Sequence, residues 1–197
     1  MILDTRTLVL VAFGMAITAA VTFAASWRFN RDITALRFWV WTYLLNALGL
    51  LLIVLNPSGQ VSWLLLGSNT AFCMAALLLL WGSRSFLGRP RPSALFMAAP
   101  AMAILAMAYF IFVDFDYRAR VLISALYLGL MAMAAACEHF RPGAARGSAP
   151  VKVMGVLQLI HGTSQWGRFL VVAIWGGGDQ LLEVNAVQTV VFFEACL

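Results

Sequence analysis

Seven long runs of apolar residues, at 7–27, 38–55, 61–81, 94–113, 119–138, 151–175 and 184–197, constrain this chain more than any other feature. As a helix, about 18 to 20 apolar residues span the roughly 30 Å of hydrocarbon in a bilayer. Inside lipid only helices and closed barrels satisfy their own backbone hydrogen bonds, and these runs lack the alternation of barrel strands. The pattern predicts an all-α integral membrane protein: one seven-transmembrane helix bundle over residues 1–197. Composition agrees, at 63% hydrophobic and 11% charged, against about 45–50% apolar and about 25% charged in soluble domains. Turn-forming stretches fall between the runs: NPSG at 56–59, GRPRP at 88–92, DFDYR at 114–118, RPGAARGSAP at 141–150 and GGGD at 176–179. Pro100 predicts a kink in the fourth helix. The first run is too long for a secretory signal, and arginines follow rather than precede it, so it is read as a retained helix.

Basic residues set the expected orientation. Nine of them, Arg28, Arg31, Arg37, Arg84, Arg89, Arg91, Arg141, Arg146 and Lys152, fall on the connections after runs one, three and five. The other side carries Arg6, Arg118 and Arg120, with Asp4, Asp114, Asp116, Asp179 and Glu183. The positive-inside rule then predicts the N-terminus outside and the C-terminus cytoplasmic. Trp27, Trp39, Trp63, Trp81 and Trp175 stand near run ends, as interfacial anchors do. The last run, 184–197, is only about 21 Å long as a helix, so a truncated last helix is expected, with a continuation into the cytoplasm.

Run six breaks the apolar pattern. Gln158, His161, Gln165 and Arg168 fall within an arc of about 80° on a helix, so one face carries all four. An arginine near mid-bilayer costs about 2.5–3.5 kcal/mol on the gentler scales, so this stripe is expected to face the bundle interior. Glu194 in run seven is the expected partner of Arg168. Asn46 in run two and Asn69 in run three lie at comparable depth, with Thr42 one turn from Asn46. Two readings stay open. The polar groups line a site open to the outside, Arg168 anchoring the carboxylate or phosphate of an amphiphilic or anionic small-molecule ligand. Alternatively, Arg168 pairs with Glu194 and the amides cross-link helices.

Other chemistry is excluded or unsupported. Cys73, Cys137 and Cys196 form no CxxC pair, and His139 and His161 lie too far apart in depth to share a haem or metal within one protomer. No cofactor and no metal site is expected. No GxSxG, HExxH or Walker-type glycine loop occurs, so no catalytic residues are assigned. The +5 net charge sits in short loops, not in a stripe with aromatics, so no nucleic-acid partner is expected. Ala125 and Gly129 have a small-xxx-small spacing, read as close helix packing.

The N-terminal LDTRTL, the block WTYLLNALGLLLIVLN at 41–56 and especially LGSNTAFCMAALLLLWGSRSFLGRP at 66–90 resemble the seven-helix membrane region ahead of bacterial GGDEF diguanylate cyclase domains. The spacing of Asn69, Arg84 and Phe86 is the most telling piece. The resemblance implies a sensory domain in a bacterial inner membrane that relays an envelope or lipid-phase signal to a fused cytoplasmic domain. That domain would condense GTP to cyclic di-GMP, in a homodimer surrounded by membrane lipid. This chain is not itself expected to be an enzyme, since GGGDQ at 176–180 stands in an expected extracytoplasmic loop with no nucleotide-binding domain around it. A small carrier or a passive anchor and dimerisation domain are the alternatives. No internal repeat supports the carrier.

Overall fold

The first six runs are helical in the computed structural model, which describes residues 5–56, 62–141 and 149–175. The helices are α1 (Thr5–Phe29), α2 (Thr34–Val54), α3 (Ser62–Phe86), α4 (Ala94–Phe112), α5 (Tyr117–Phe140) and α6 (Ala149–Trp175). No strand occurs among the described residues. The seventh run, 184–197, lies outside them. Helices of 19 to 27 residues measure about 28–40 Å, the scale of a bilayer. Five of them, α1 to α5, are both long and apolar enough to cross a membrane, which makes the chain a multi-pass helical membrane protein. The longest, α6, is not among the five, because its polar stripe dilutes an otherwise apolar sequence. Outward-facing Leu10, Val21, Met102, Leu105, Leu130 and Leu170 suit contact with acyl chains. In water the same residues would form sticky patches.

The helices pack in an arc. α1 lies on α2, α2 on α3, α3 on α5, and α5 on α6, while α4 rests against both α3 and α5. Among the described residues α1 and α6 do not meet. Three core clusters hold the arc together. Cys73, Leu80, Met107, Tyr127, Met131 and Ala135 join α3, α4 and α5. Val9, Ala12, Ala47 and Leu50 join α1 to α2. Ala35, Leu36 and Trp39 on α2 take Phe23 of α1 and Leu79 of α3. Two polar ties cross between helices without exposing a donor to lipid. The Tyr127 hydroxyl of α5 donates to the Cys73 carbonyl of α3 at 2.9 Å. The Thr42 hydroxyl of α2 reaches the Phe38 carbonyl at 2.9 Å and the Ala75 carbonyl of α3 at 3.5 Å.

Aromatic pairs mark the two ends of the bundle. At one end Trp39 of α2 packs against Phe86 of α3, 5.4 Å between centroids. At the other, Trp63 of α3 packs against Phe112 of α4 at 4.6 Å. The connections after α1, α3 and α5 thus share the Trp39 end, and with them the arginines of those loops. Trp63 is exposed, as an interfacial anchor should be. Trp39 is not: it is buried among Phe23, Phe86 and Gly82, so it is a core residue and its anchoring role falls away. The helix continues through Pro100, which lies buried inside α4.

Small residues set how closely α6 approaches α5. A Cβ on Gly129 would stand 3.2 Å from the Trp166 ring, and one on Gly155 would stand 2.9 Å from the His139 Cβ. The Ala125 and Gly129 spacing therefore serves intramolecular packing. Gly167, by contrast, has nothing within 4 Å of where its Cβ would lie. Gly155→Leu should lower stability by about 1–3 kcal/mol, because the clash is with a Cβ that cannot swing away. Gly167→Ala should be neutral or stabilising by up to about 1 kcal/mol through helix propensity. Thermal unfolding of the two variants in detergent checks the contrast.

Candidate ligand-binding cavity

The concave side of the arc encloses a cavity of about 380 Å³, walled by α1, α2, α3, α5 and α6. The packing follows from helix periodicity. On α5 the lining positions are Tyr117, Arg120, Ser124, Leu128 and Ala132, which recur every three or four residues and so share one face. On α6 they include Gln158, His161, Gln165 and Arg168, the stripe seen in the sequence, with Met154, Leu157 and Ile160 beside it. Asn46 of α2 and Asn69 of α3 close the opposite wall, with Thr42 above a floor of Leu79, Leu128, Met154 and Leu157. Six of the seven residues expected to form a site thus line a single space. Glu194, the seventh, lies outside the described residues.

Two arginines enter this space, and no aspartate or glutamate lines it among the described residues. Arg120 is 6% exposed. Its guanidinium stacks over Phe115 at 4.7 Å and Tyr117 at 5.6 Å, and its Nε donates to the Asp116 carbonyl at 3.4 Å. The Asp116 carboxylate is occupied in capping α5, where it accepts from the Ala119 N–H at 3.1 Å. It acts on Arg120 electrostatically without an ion pair. Arg168 lines the same space from α6. Among the described residues no carboxylate pairs with Arg168.

The amides are unevenly satisfied. Asn69 donates to the Leu65 carbonyl of its own helix at 2.8 Å, so it does not cross-link helices through that group. Gln165 is 2% exposed and Gln158 is 9% exposed, and the Oε1 of each has no hydrogen-bond partner. A buried acceptor left unpaired costs about 1–3 kcal/mol. Neither atom opens onto the cavity: Gln165 lies beside Gly129 of α5, at the edge of the α5–α6 seam.

A second polar cluster lies at the Trp39 end. The Glu138 carboxylate, 8% exposed, is gripped by Arg84 through one oxygen and Arg89 through the other, with Arg141 3.7 Å away. Local chain geometry delivers these arginines. Gly88, at φ +66°, ends α3 in the left-handed conformation that glycine accepts most easily, and the Arg89 N–H turns back to the Arg84 carbonyl at 2.8 Å. That turn swings Arg89 over α5. The Arg84 Nε also donates to the Pro90 carbonyl at 2.9 Å, which holds the outgoing loop. Beside the cluster His139 is buried under Gly155 with neither ring nitrogen hydrogen-bonded.

No family model matches the chain, and no curated protein and no solved structure is significantly similar to it.

Two features were missed in the sequence. The sequence reading groups Arg120 with the charges of the outer side although run five, 119–138, contains it; α5 begins at Tyr117 and buries Arg120 in the cavity wall. The signal was present: Tyr117, Arg120 and Ser124 share one helical face. Glu138 was passed over although it is the only acid within an apolar run from 7 to 175, a position that demands a cation. No group of three or more metal-ligating side chains occurs among the described residues.

The Glu138 cluster makes a prediction about stability. Glu138→Ala leaves two largely buried guanidinium groups unpaired and should cost on the order of 3 kcal/mol. Arg141→Ala removes a partner that is 65% exposed and 3.7 Å away, and should cost less than about 1 kcal/mol. Denaturant unfolding of both variants in mild detergent gives the comparison, and equal losses would contradict the assigned geometry.

Proposed function

We propose that this chain is the membrane-embedded input domain of a signalling protein, in which occupancy of the cavity biases two arrangements of the helices. The observation that carries the reading is the single cavity that gathers Asn46, Asn69, Gln158, His161, Gln165 and Arg168 at bilayer depth. A passive anchor has no need of such a space, and polar side chains inside a membrane bundle are expensive enough to mark function. Clustering of the arginines at the Trp39 end supports a cytoplasmic placement of that end and an external N-terminus. In this reading run seven is the seventh span, and the sequence resemblance supplies the output: a GGDEF diguanylate cyclase domain on the cytoplasmic side of a bacterial inner membrane, working as a homodimer.

A signal can shift an equilibrium only through unequal affinity for its two states. α3 and α5 are tied by the Glu138 ions and the Tyr127 bond. α6 lies on α5 along a close glycine seam and meets no other described helix, so occupancy of the cavity would be felt on the side of α6 that the seam leaves open.

In a fusion that carries a GGDEF domain after Leu197, Arg168→Leu should change cyclic di-GMP production by about fivefold or more, the size of a typical coupling between sites. Lys152→Ala, at the exposed start of α6, should leave it within about twofold. Production unchanged by Arg168→Leu in a protein that still inserts and folds would return the chain to the anchor class. Substrate uptake by vesicles holding the chain alone would instead make it a carrier.

A further inference from the structure

We infer that the Glu138 node at the Trp39 end is a binding site for an anionic phospholipid, whose phosphodiester is taken by Arg141 beside the two arginines that already hold Glu138. The node lies about 27 Å along α5 from Arg120, and the inference is independent of what fills the cavity. Charge, availability and level in the membrane each point to it.

Arg84 and Arg89 each take one oxygen of Glu138, and Arg141 stands 3.7 Å from the oxygen that Arg84 holds. Each guanidinium thus has Glu138 as its counterpart, but one carboxylate answers three of them, and the node keeps a surplus of two positive charges. The adjoining sequence adds to that surplus. Arg91 follows on the same turn, exposed, and the stretch PGAARGS at 142–148 contains an arginine and no acid. Among the described residues the other acid at this end is Asp32, in the α1–α2 connection.

The three arginines are not equally available. The Gly88 turn places Arg89 and the Pro90 carbonyl holds Arg84, and their side chains are 18% and 17% exposed. Arg141 is 65% exposed, and its 3.7 Å separation from Glu138 exceeds the roughly 2.7–3.2 Å of an N–H···O hydrogen bond. Its fork of N–H donors therefore remains open to an outside anion, and that fork is what arginine uses to grip phosphate.

The level selects lipid over a soluble phosphate. Glu138 is in the last turn of α5 and Arg84 in the last turn of α3, where spanning helices leave hydrocarbon for head groups. Phe140, two residues from Glu138, and Leu95, in the first turn of α4, are exposed apolar surface for the acyl chains of the same molecule. A zwitterionic head would bring its own cation to a site already in surplus, whereas an anionic one offsets the surplus. Basic sites between membrane helices hold anionic head groups on the same physical grounds.

The test compares phosphatidylglycerol with phosphatidylcholine of equal chain length on the full chain in mild detergent. Bound lipid is counted by native mass spectrometry, and the melting temperature is followed. Phosphatidylglycerol should be retained about fivefold or more over phosphatidylcholine. Arg141→Gln should bring the two lipids to within about twofold, and Arg141→Lys, which keeps the charge but loses the fork, should restore part of the preference. Arg28→Gln removes an exposed charge at the same end on α1 and should leave the preference within about twofold of the unaltered chain. Equal retention of the two lipids would overturn the anionic head. Equal losses in Arg28→Gln and Arg141→Gln would replace the node by a diffuse field. Millimolar inorganic phosphate that stabilises the chain as much as phosphatidylglycerol does would overturn the assignment to lipid. The comparison of lipids on the unaltered chain stands even if a variant fails to fold, and no readout here depends on the cavity.

Discussion

Hydrocarbon offers a polar group no partner, and the arrangement of this chain follows from that. Backbone amides are satisfied inside each helix, so six helices form and no strand occurs among the described residues. Side chains must solve the same problem one by one. Thr18 and Thr22 fold back on carbonyls one turn earlier, at 2.9 and 2.8 Å, and Asn69 does likewise. Tyr127 and Thr42 find carbonyls on a neighbouring helix. Glu138 recruits two arginines. Trp39, Ser83, His139, Gln158, Ser164 and Gln165 each keep a buried polar atom without a hydrogen-bond partner among the described residues.

The polar groups divide into a closed set and an open one. Around Glu138 every charge has a counterpart, and the glycine turn after α3 delivers Arg89 to its place. Replacement of such a cluster by apolar residues is often tolerated thermodynamically, so its value lies in fixing register as much as in adding stability. It ties α3, the α3–α4 turn and α5 at a single level. In the cavity the balance is the opposite: Arg120 and Arg168 have no ion-pair partner among the described residues.

Much of this was legible in the sequence, for reasons that also explain what was not. Apolar runs of spanning length survive any choice of boundary, so six helices were placed within a few residues of where they form. The stripe on run six was legible because a 3.6-residue period converts sequence spacing directly into a face. That Asn46 and Asn69 meet it followed from matched depth along antiparallel rods. Depth is measured from helix ends, however, and ends are the least certain feature of a sequence. α5 begins at Tyr117, two residues before run five, so Arg120 stands nearly a turn inside the helix and lines the cavity instead of the outer rim. The Glu138 cluster was hidden for a different reason. Its partners are 54 and 49 residues away, and the contact with Arg89 depends on a left-handed glycine that hydrophobic pattern does not encode. Trp39 shows the limit of position along a helix: it stands near an end, but that end faces α1 and α3.

The helix that falls short of the apolar criterion for spanning is also the one that carries the stripe, and the two facts have a common consequence. A segment bearing Gln158, His161, Gln165 and Arg168 is a poor candidate to enter lipid alone, since each of these groups must be sheltered by protein or by something the protein holds. Among the described residues α6 is sheltered by α5 only, through glycine contacts at Gly129 and Gly155 that bring the backbones close on one side. Its stripe adjoins that seam: the Gln165 Cβ is 3.4 Å from where a Cβ on Gly129 would lie, Gln158 and Gln165 are buried, and Arg168 lines the cavity beyond them. On the proposed reading, the polarity that makes α6 the weakest spanning helix is what makes its position sensitive to a ligand.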